Sequence, residues 1–317
     1  MTPRDNLYNF FKNKETEWFP NGGDLKFFEP VELHDYKARG MVNQQVPISP
    51  EEYGGLGWFN VKWEYVPQVT GSISVGKIMD DISEWRDVLM WPDLDAIDWE
   101  GIRERNSEYL KTDKMLECTI YTGYFERLIS FVEFEDAAVT LIDPDYDEDV
   151  YELFDKLTDL YIDYARRMHE HFNIEYFMVH DDWGSQRAPL LSPATHREKI
   201  LPHVKRLVSA LHDMDCFYEQ HSCGLIHDII PNIIESGADT WRGQDVCDKK
   251  MLVDKYHDQF KFGVMVPNPK GATPEESVEM VKKYYEIYKG KNVWFSISRL
   301  MPPENTEAVN KYLRTIK

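Results

Sequence analysis

From about residue 116 onward the chain alternates short apolar runs with longer amphipathic ones, and this alternation limits its fold more than any other feature. ECTIYTG, IEYFMVH, CFYEQHSC, DTWRGQ, FKFGVMV and VWFSIS have the length and the β-branched or aromatic content of strands. Helical runs separate them. DEDVYELFDKLTDLYIDYARRMHEHF sets Val150, Leu153, Leu157, Leu160 and Tyr161 at helical spacing. Ser192 stands as an N-cap before Pro193, and Thr273 caps a helix that Gly290 ends. At least six strand–helix units in succession imply a parallel sheet. No G-x-G-x-x-G or G-x-x-x-x-G-K-[ST] follows any strand, which disfavours an open nucleotide-binding sheet. The expected fold is α/β, a (β/α)8 TIM barrel.

Residues 1–115 read differently. They are irregular and rich in Pro, Gly and aromatics, with a strand expected near 58–65 and a short helix near 79–88. No linker, repeat or low-complexity tract divides the 317 residues. A single domain is therefore expected, with 1–115 as an irregular N-terminal part of the barrel and 116–317 as its regular βα units. The net charge of −20, from 56 acidic and 36 basic residues, repels nucleic acid and anionic membranes. It disfavours a polyanionic substrate unless a local basic pocket reverses the field. The N-terminus lacks the apolar core of a signal peptide, and no apolar run has membrane-spanning length. Cys118, Cys216, Cys223 and Cys247 are widely spaced and read as reduced thiols, so a cytoplasmic location is expected.

Four polar motifs fall at or just after predicted strand ends, where barrels carry their chemistry. In Glu219-Gln-His221-Ser-Cys223-Gly, period-two alternation points Glu219, His221 and Cys223 to one face. Carboxylate, imidazole and thiol together suit zinc, although a buried cysteine beside a hydrogen-bonded histidine would give the same pattern. In His180-Asp181-Asp182-Trp183-Gly-Ser-Gln186, Asp181 and Asp182 are candidates for acid–base catalysis, with Glu219 a third; one aspartate is equally expected to cap the next turn. In Trp241-Arg-Gly-Gln244-Asp245-Val-Cys247, Gln244 or Asp245 can face the same cavity, or the segment is a plain loop. In Tyr124-Phe-Glu-Arg127, Arg127 can bind a substrate carboxylate or form an ordinary ion pair. Aromatics make up 14% of the chain and serve either as core or as pocket walls, with Trp58, Trp63, Tyr124 and Trp183 the candidates for walls. Gln186 and Gln244 are the candidate polar contacts to substrate.

GYFERL, HDDWGSQ…LLSPATHREKILPHVKRLVSALHD, EQHSCGLIHDIIPNIIESGADTWRGQD and PPEN, in that order, resemble the uroporphyrinogen-decarboxylase-like superfamily over roughly residues 116–317. The resemblance implies a (β/α)8 barrel with its site at the C-terminal mouth. The decarboxylase branch implies an arginine-rich N-terminal segment, and only Arg4 and Arg39 stand there, far apart. The corrinoid-dependent methyltransferase branch implies zinc on a His-x-Cys pair, a later acid and a C-terminal cysteine. His221 and Cys223 match the pair. Gln244 stands at the place of the acid, with Asp245 beside it, and Ser296 or Ser298 at the place of the last thiol. Glu219, Asp245 or Cys247 would have to complete such a site. The resemblance thus implies methyl transfer between a small substrate (a methyl ether, methylamine or thiol) and a corrinoid carried by a partner protein. A decarboxylase acting through Asp181 and Asp182, or a ligand-binding barrel without turnover, are the alternatives.

Overall fold

The computed structural model describes residues 1–45, 48–298 and 301–317. In chain order its strands are β1 (Leu25–Phe27), β2 (Gly55–Leu56), β3 (Lys62–Val66), β4 (Gly71–Ser74), β5 (Met115–Ile120), β6 (Tyr176–His180), β7 (Phe217–Ser222), β8 (Thr240–Gly243), β9 (Lys261–Met265) and β10 (Val293–Ser296). Seven of them form one parallel sheet in the order β1-β5-β6-β7-β8-β9-β10. The sheet curls, because Asn21, just upstream of β1, bridges in parallel to Phe295 of β10. The fold is an α/β barrel of the TIM type. Among the described residues it has seven parallel strands, and the Pro20–Asn21 segment takes the place beside β10, where Phe295 N donates to Pro20 O at 3.1 Å.

The inward-facing side chains stack in layers, as period-two alternation requires. The floor is apolar: Leu25, Met115, Tyr176, Phe217 and Trp294 pack with Leu7 and Phe11. These last two come from the N-terminal helix Pro3–Phe11, started by the Thr2 side chain capping Asp5 N and by Pro3 at its first position. One layer up lie Glu117, Met178, Glu219, Arg242 and Ser296. Arg242 Nε lies 2.9 Å from Glu219 Oε1, NH1 3.0 Å from Ser296 Oγ and NH2 3.3 Å from Glu117 Oε1. Tyr176 OH donates to the other Glu219 oxygen at 2.7 Å. Both carboxylates are fully buried and paired with Arg242, as burial demands. Above them, at the C-terminal ends of β6 and β7, come His180 and His221, partners in the strand register.

The expected irregular N-terminal part contains a three-stranded antiparallel sheet, β2-β3-β4, whose last strand forms one wall of the mouth cavity. The strand expected near 58–65 begins at Lys62, after a tight turn in which Phe59 and Asn60 have φ of 62° and 58°. No helix among the described residues is long and apolar enough to cross a membrane.

Candidate metal centre and mouth cavity

β6 and β7 end in the same pattern, His180-x-Asp182 and His221-x-Cys223. Because His180 pairs with His221 in register, the four side chains project side by side. Their donor atoms all lie within 4.8 Å of one another. Cys223 Sγ is 3.6 Å from His221 Nε2, and His180 Nε2 is 3.6 Å from Asp182 Oδ1. The imidazoles are stacked, with centroids 4.8 Å apart. A tetrahedral zinc ion with bonds of about 2.0–2.3 Å sets its donors roughly 3.3–3.8 Å apart, so this two-nitrogen, one-oxygen, one-sulfur set fits such an ion after a small contraction.

The surroundings hold the donors in place. Glu126, in the helix Tyr124–Val132, accepts from His180 Nδ1 at 2.7 Å and turns Nε2 toward the cluster. Metal-ligating histidines commonly rest on such a carboxylate. Burial alone would lower the His180 pKa, but Glu126 and Asp182 outweigh it and hold it well above the usual value. Burial, with His180 alongside, pushes His221 well below its usual range. Burial also raises the Cys223 thiol. The loops that follow β6 and β7 are bonded to each other: Cys223 N donates to Asp182 Oδ1 at 2.6 Å, Trp183 N to Ser222 Oγ at 2.9 Å and Leu225 N to Ser185 O at 2.7 Å. Gly224, at φ +79°, lies against Gly184 so closely that a Cβ on it would sit 2.1 Å from the Gly184 carbonyl.

Three of the four, His180, Asp182 and Cys223, line a cavity of about 570 Å³. Met41, Trp63, Val69, Ile73, Tyr121 and Ile129 supply its apolar and aromatic wall, and Arg39, Glu126, His180, Asp182 and Cys223 its charged groups and candidate donors. Gln186 and Gln244 line it too; Gln186 Nε2 donates to Gln244 Oε1 at 3.1 Å, and the same oxygen accepts from Gly224 N at 3.1 Å.

Of the residues singled out from sequence, the structure thus brings Asp182, His221, Cys223, Gln186, Gln244 and Trp63 to one place. Others lie elsewhere. Glu219 belongs to the charged layer beneath, bound to Arg242 and Tyr176. Asp245 is exposed and outside the donor cluster. Asp181 is buried, and its two oxygens accept from Phe125 N at 3.1 Å and Glu126 N at 2.8 Å, which caps the helix Tyr124–Val132. Its pKa is raised to about 7, mainly by burial and then by Glu126. Tyr124 turns away from the cavity and hydrogen-bonds Thr158 at 2.9 Å. Trp183 packs edge-on against His196, and Trp58 against Tyr164. Arg127 is fully buried on Asp35 at 3.1 Å, so it does not reach the mouth. Cys247 Sγ bonds the Gly224 carbonyl at 3.3 Å, and Ser296 serves Arg242. Arg299 and Leu300, which follow Ser298, lie outside the described residues. His180 and Glu126 carry no assigned role in the sequence reading. The repeated His-x-Asp and His-x-Cys at successive strand ends is the signal that points to His180; nothing in the sequence points to Glu126.

The fold places the chain among α/β barrels. Its backbone is similar to that of a methyltransferase from Methanosarcina mazei, with a TM-score of 0.69 and 13% identity over 99% of this chain and 98% of that one. An AP endonuclease, family 2, from Brucella melitensis aligns with a TM-score of 0.39 and 8% identity over 71% of this chain and 86% of that one. No protein-family profile and no curated protein sequence matches the chain.

Proposed function

We propose that this chain is a metal-assisted methyltransferase of the uroporphyrinogen-decarboxylase-like superfamily, which moves a methyl group from a small methyl ether to a corrinoid on a separate protein. The observation that carries this reading is the convergence of His180, Asp182, His221 and Cys223 on one point, three of them lining the mouth cavity. End-to-end likeness of the backbone to a protein described as a methyltransferase supports it. So do the family motifs around His221 and Cys223.

In this reading His180, Asp182, His221 and Cys223 would hold zinc, which would supply a Lewis acid for the oxygen of the donor. Only one of the four donors is a thiolate. A harder donor set suits polarisation of an ether oxygen better than activation of a thiol. The corrinoid of the partner would supply the electron pair that takes up the methyl carbon; the pair of the broken carbon–oxygen bond would stay on oxygen, and the oxyanion would take a proton from water. Glu126 fixes the tautomer and direction of His180, and Asp181 in turn fixes Glu126 by holding its backbone N–H. Trp63, Met41, Ile73 and Ile129 shield the donor from water on the apolar side.

The test uses zinc-replete protein, a reduced corrinoid and a panel of methyl aryl ethers. Formation of the phenol together with the absorption spectrum of a methylated corrinoid, lost on His221→Ala, is the expected result. Intact ethers in every combination would overturn the reading.

A further inference from the structure

Arg127, which could bind a substrate carboxylate or form an ion pair, is paired with Asp35, and a different arginine stands at the mouth. Arg39 lines the mouth cavity with its side chain 11% exposed, and among the described residues no Lys or other Arg lines it. The guanidinium lies over Trp63, its carbon 4.2 Å from the ring centroid. NH1 donates to Ser72 O and NH2 to Tyr121 O, each at 3.1 Å. These two bonds tie it to β4 on one side and to the end of β5 on the other, so its position is fixed before any ligand arrives. Its acidic neighbour, Glu126, lies 3.6 Å away and is engaged more closely, at 2.7 Å, by His180. Its Nε is buried without a partner among the described residues, while NH1 and NH2 each give one N–H to a carbonyl and keep a second.

A chain of net charge −20 needs a local cation to admit an anion at all. A single preorganised guanidinium on an aromatic face admits one anionic group, and planar carboxylates match it best. Met41, Trp63, Val69, Ile73, Tyr121 and Ile129 give the cavity an apolar and aromatic wall, and Glu126 stands between Arg39 and His180 of the donor cluster. We propose that Arg39 receives the carboxylate of the substrate, so that the enzyme selects ring-sized methyl ethers bearing an acid over neutral ethers and cationic methylamines. This rests on the methyl-transfer reading for the word substrate, but the anion site itself can be measured without turnover.

The experiment is calorimetric titration of the wild-type protein with 3-methoxybenzoate and with its neutral isostere 3-methoxybenzamide, repeated on Arg39→Gln and Arg39→Lys. The wild type is expected to bind the acid at least about tenfold more tightly than the amide, a difference that raised salt diminishes. Arg39→Gln is expected to abolish that preference while keeping amide affinity, and Arg39→Lys to retain part of it. Equal affinity of the wild type for both probes, no binding of either, or a preference that survives in folded Arg39→Gln would overturn the proposal. The wild-type comparison stands even if a variant fails to fold. Acid-selective binding without methyl transfer would leave the anion site and remove the methyl-transfer reading. Transfer from neutral ethers with no acid preference would do the reverse.

Discussion

Glu219 and Asp182 are carboxylates contributed by neighbouring strands, and their depth separates their roles. Asp182 stands at the mouth among His180, His221 and Cys223. Glu219 lies two residues before His221, which along a strand is about 6.7 Å, too far to share an ion held by Cys223. Its oxygens are taken by Arg242 and Tyr176 instead. Glu219→Gln is therefore expected to leave the metal content unchanged and to lower stability by about 2–4 kcal/mol, because Arg242 keeps its charge with one partner fewer. Denaturant unfolding with parallel elemental analysis checks both halves; loss of metal from a folded variant would return Glu219 to the ligand set. Alternation in the sequence is enough to put Glu219, His221 and Cys223 on one face, but it carries no measure of depth. The same limit applies to Asp181, whose partners Phe125 and Glu126 belong to a distant part of the chain.

At the scale of elements, the site depends on two strand ends held at one height. The repeating alternation of apolar runs makes the strands themselves legible: the six expected from residue 116 onward appear as β5 to β10, and the long helix spans Asp147–Phe172, ending at Asn173 with φ +59°. The pairing of His180 with His221 is a matter of register between strands, and register is not written in either strand alone. The irregular N-terminal part is less legible because its turns rest on long-range contacts: Asp35, ion-paired with Arg127, also accepts from Trp58 N at 3.0 Å, where the turn begins. Gly224 and Gly184 let the two site loops touch. Gly224→Ala is expected to cost at least about 2 kcal/mol, from the left-handed backbone and the clash together, and to weaken metal binding at least tenfold by displacing Cys223. Competition with a chelator reads the second effect; unchanged affinity would show that the close approach does not position the thiol.

Across the whole molecule, the barrel sets an apolar floor, a paired charged layer and a polar mouth one above another, so the donors sit where solvent and a ligand can enter. The outer helices add a pH response of their own. His196 and His203 are buried, and burial lowers their pKa values to about 3 and about 4. In the unfolded chain they titrate near 6.5, so between about pH 6.5 and 4 the unfolded state holds more protons than the native one. Their stabilising contribution is complete above that window and is lost as pH falls through it. His203→Phe, among Tyr124, Tyr151 and Phe154, is expected to flatten the decline in stability by up to about 1.4 kcal/mol per pH unit. Unfolding free energies measured from pH 7 to pH 4.5 check it; an unaltered slope would place the acid sensitivity elsewhere.

The most direct test of the metal centre is elemental analysis of the purified protein beside His180→Ala, Asp182→Ala, His221→Ala and Cys223→Ala. One zinc per chain in the wild type, reduced in all four folded variants, is the predicted result. A wild type without metal, or zinc retained in full by His180→Ala and Asp182→Ala, would contradict a centre shared between the ends of β6 and β7.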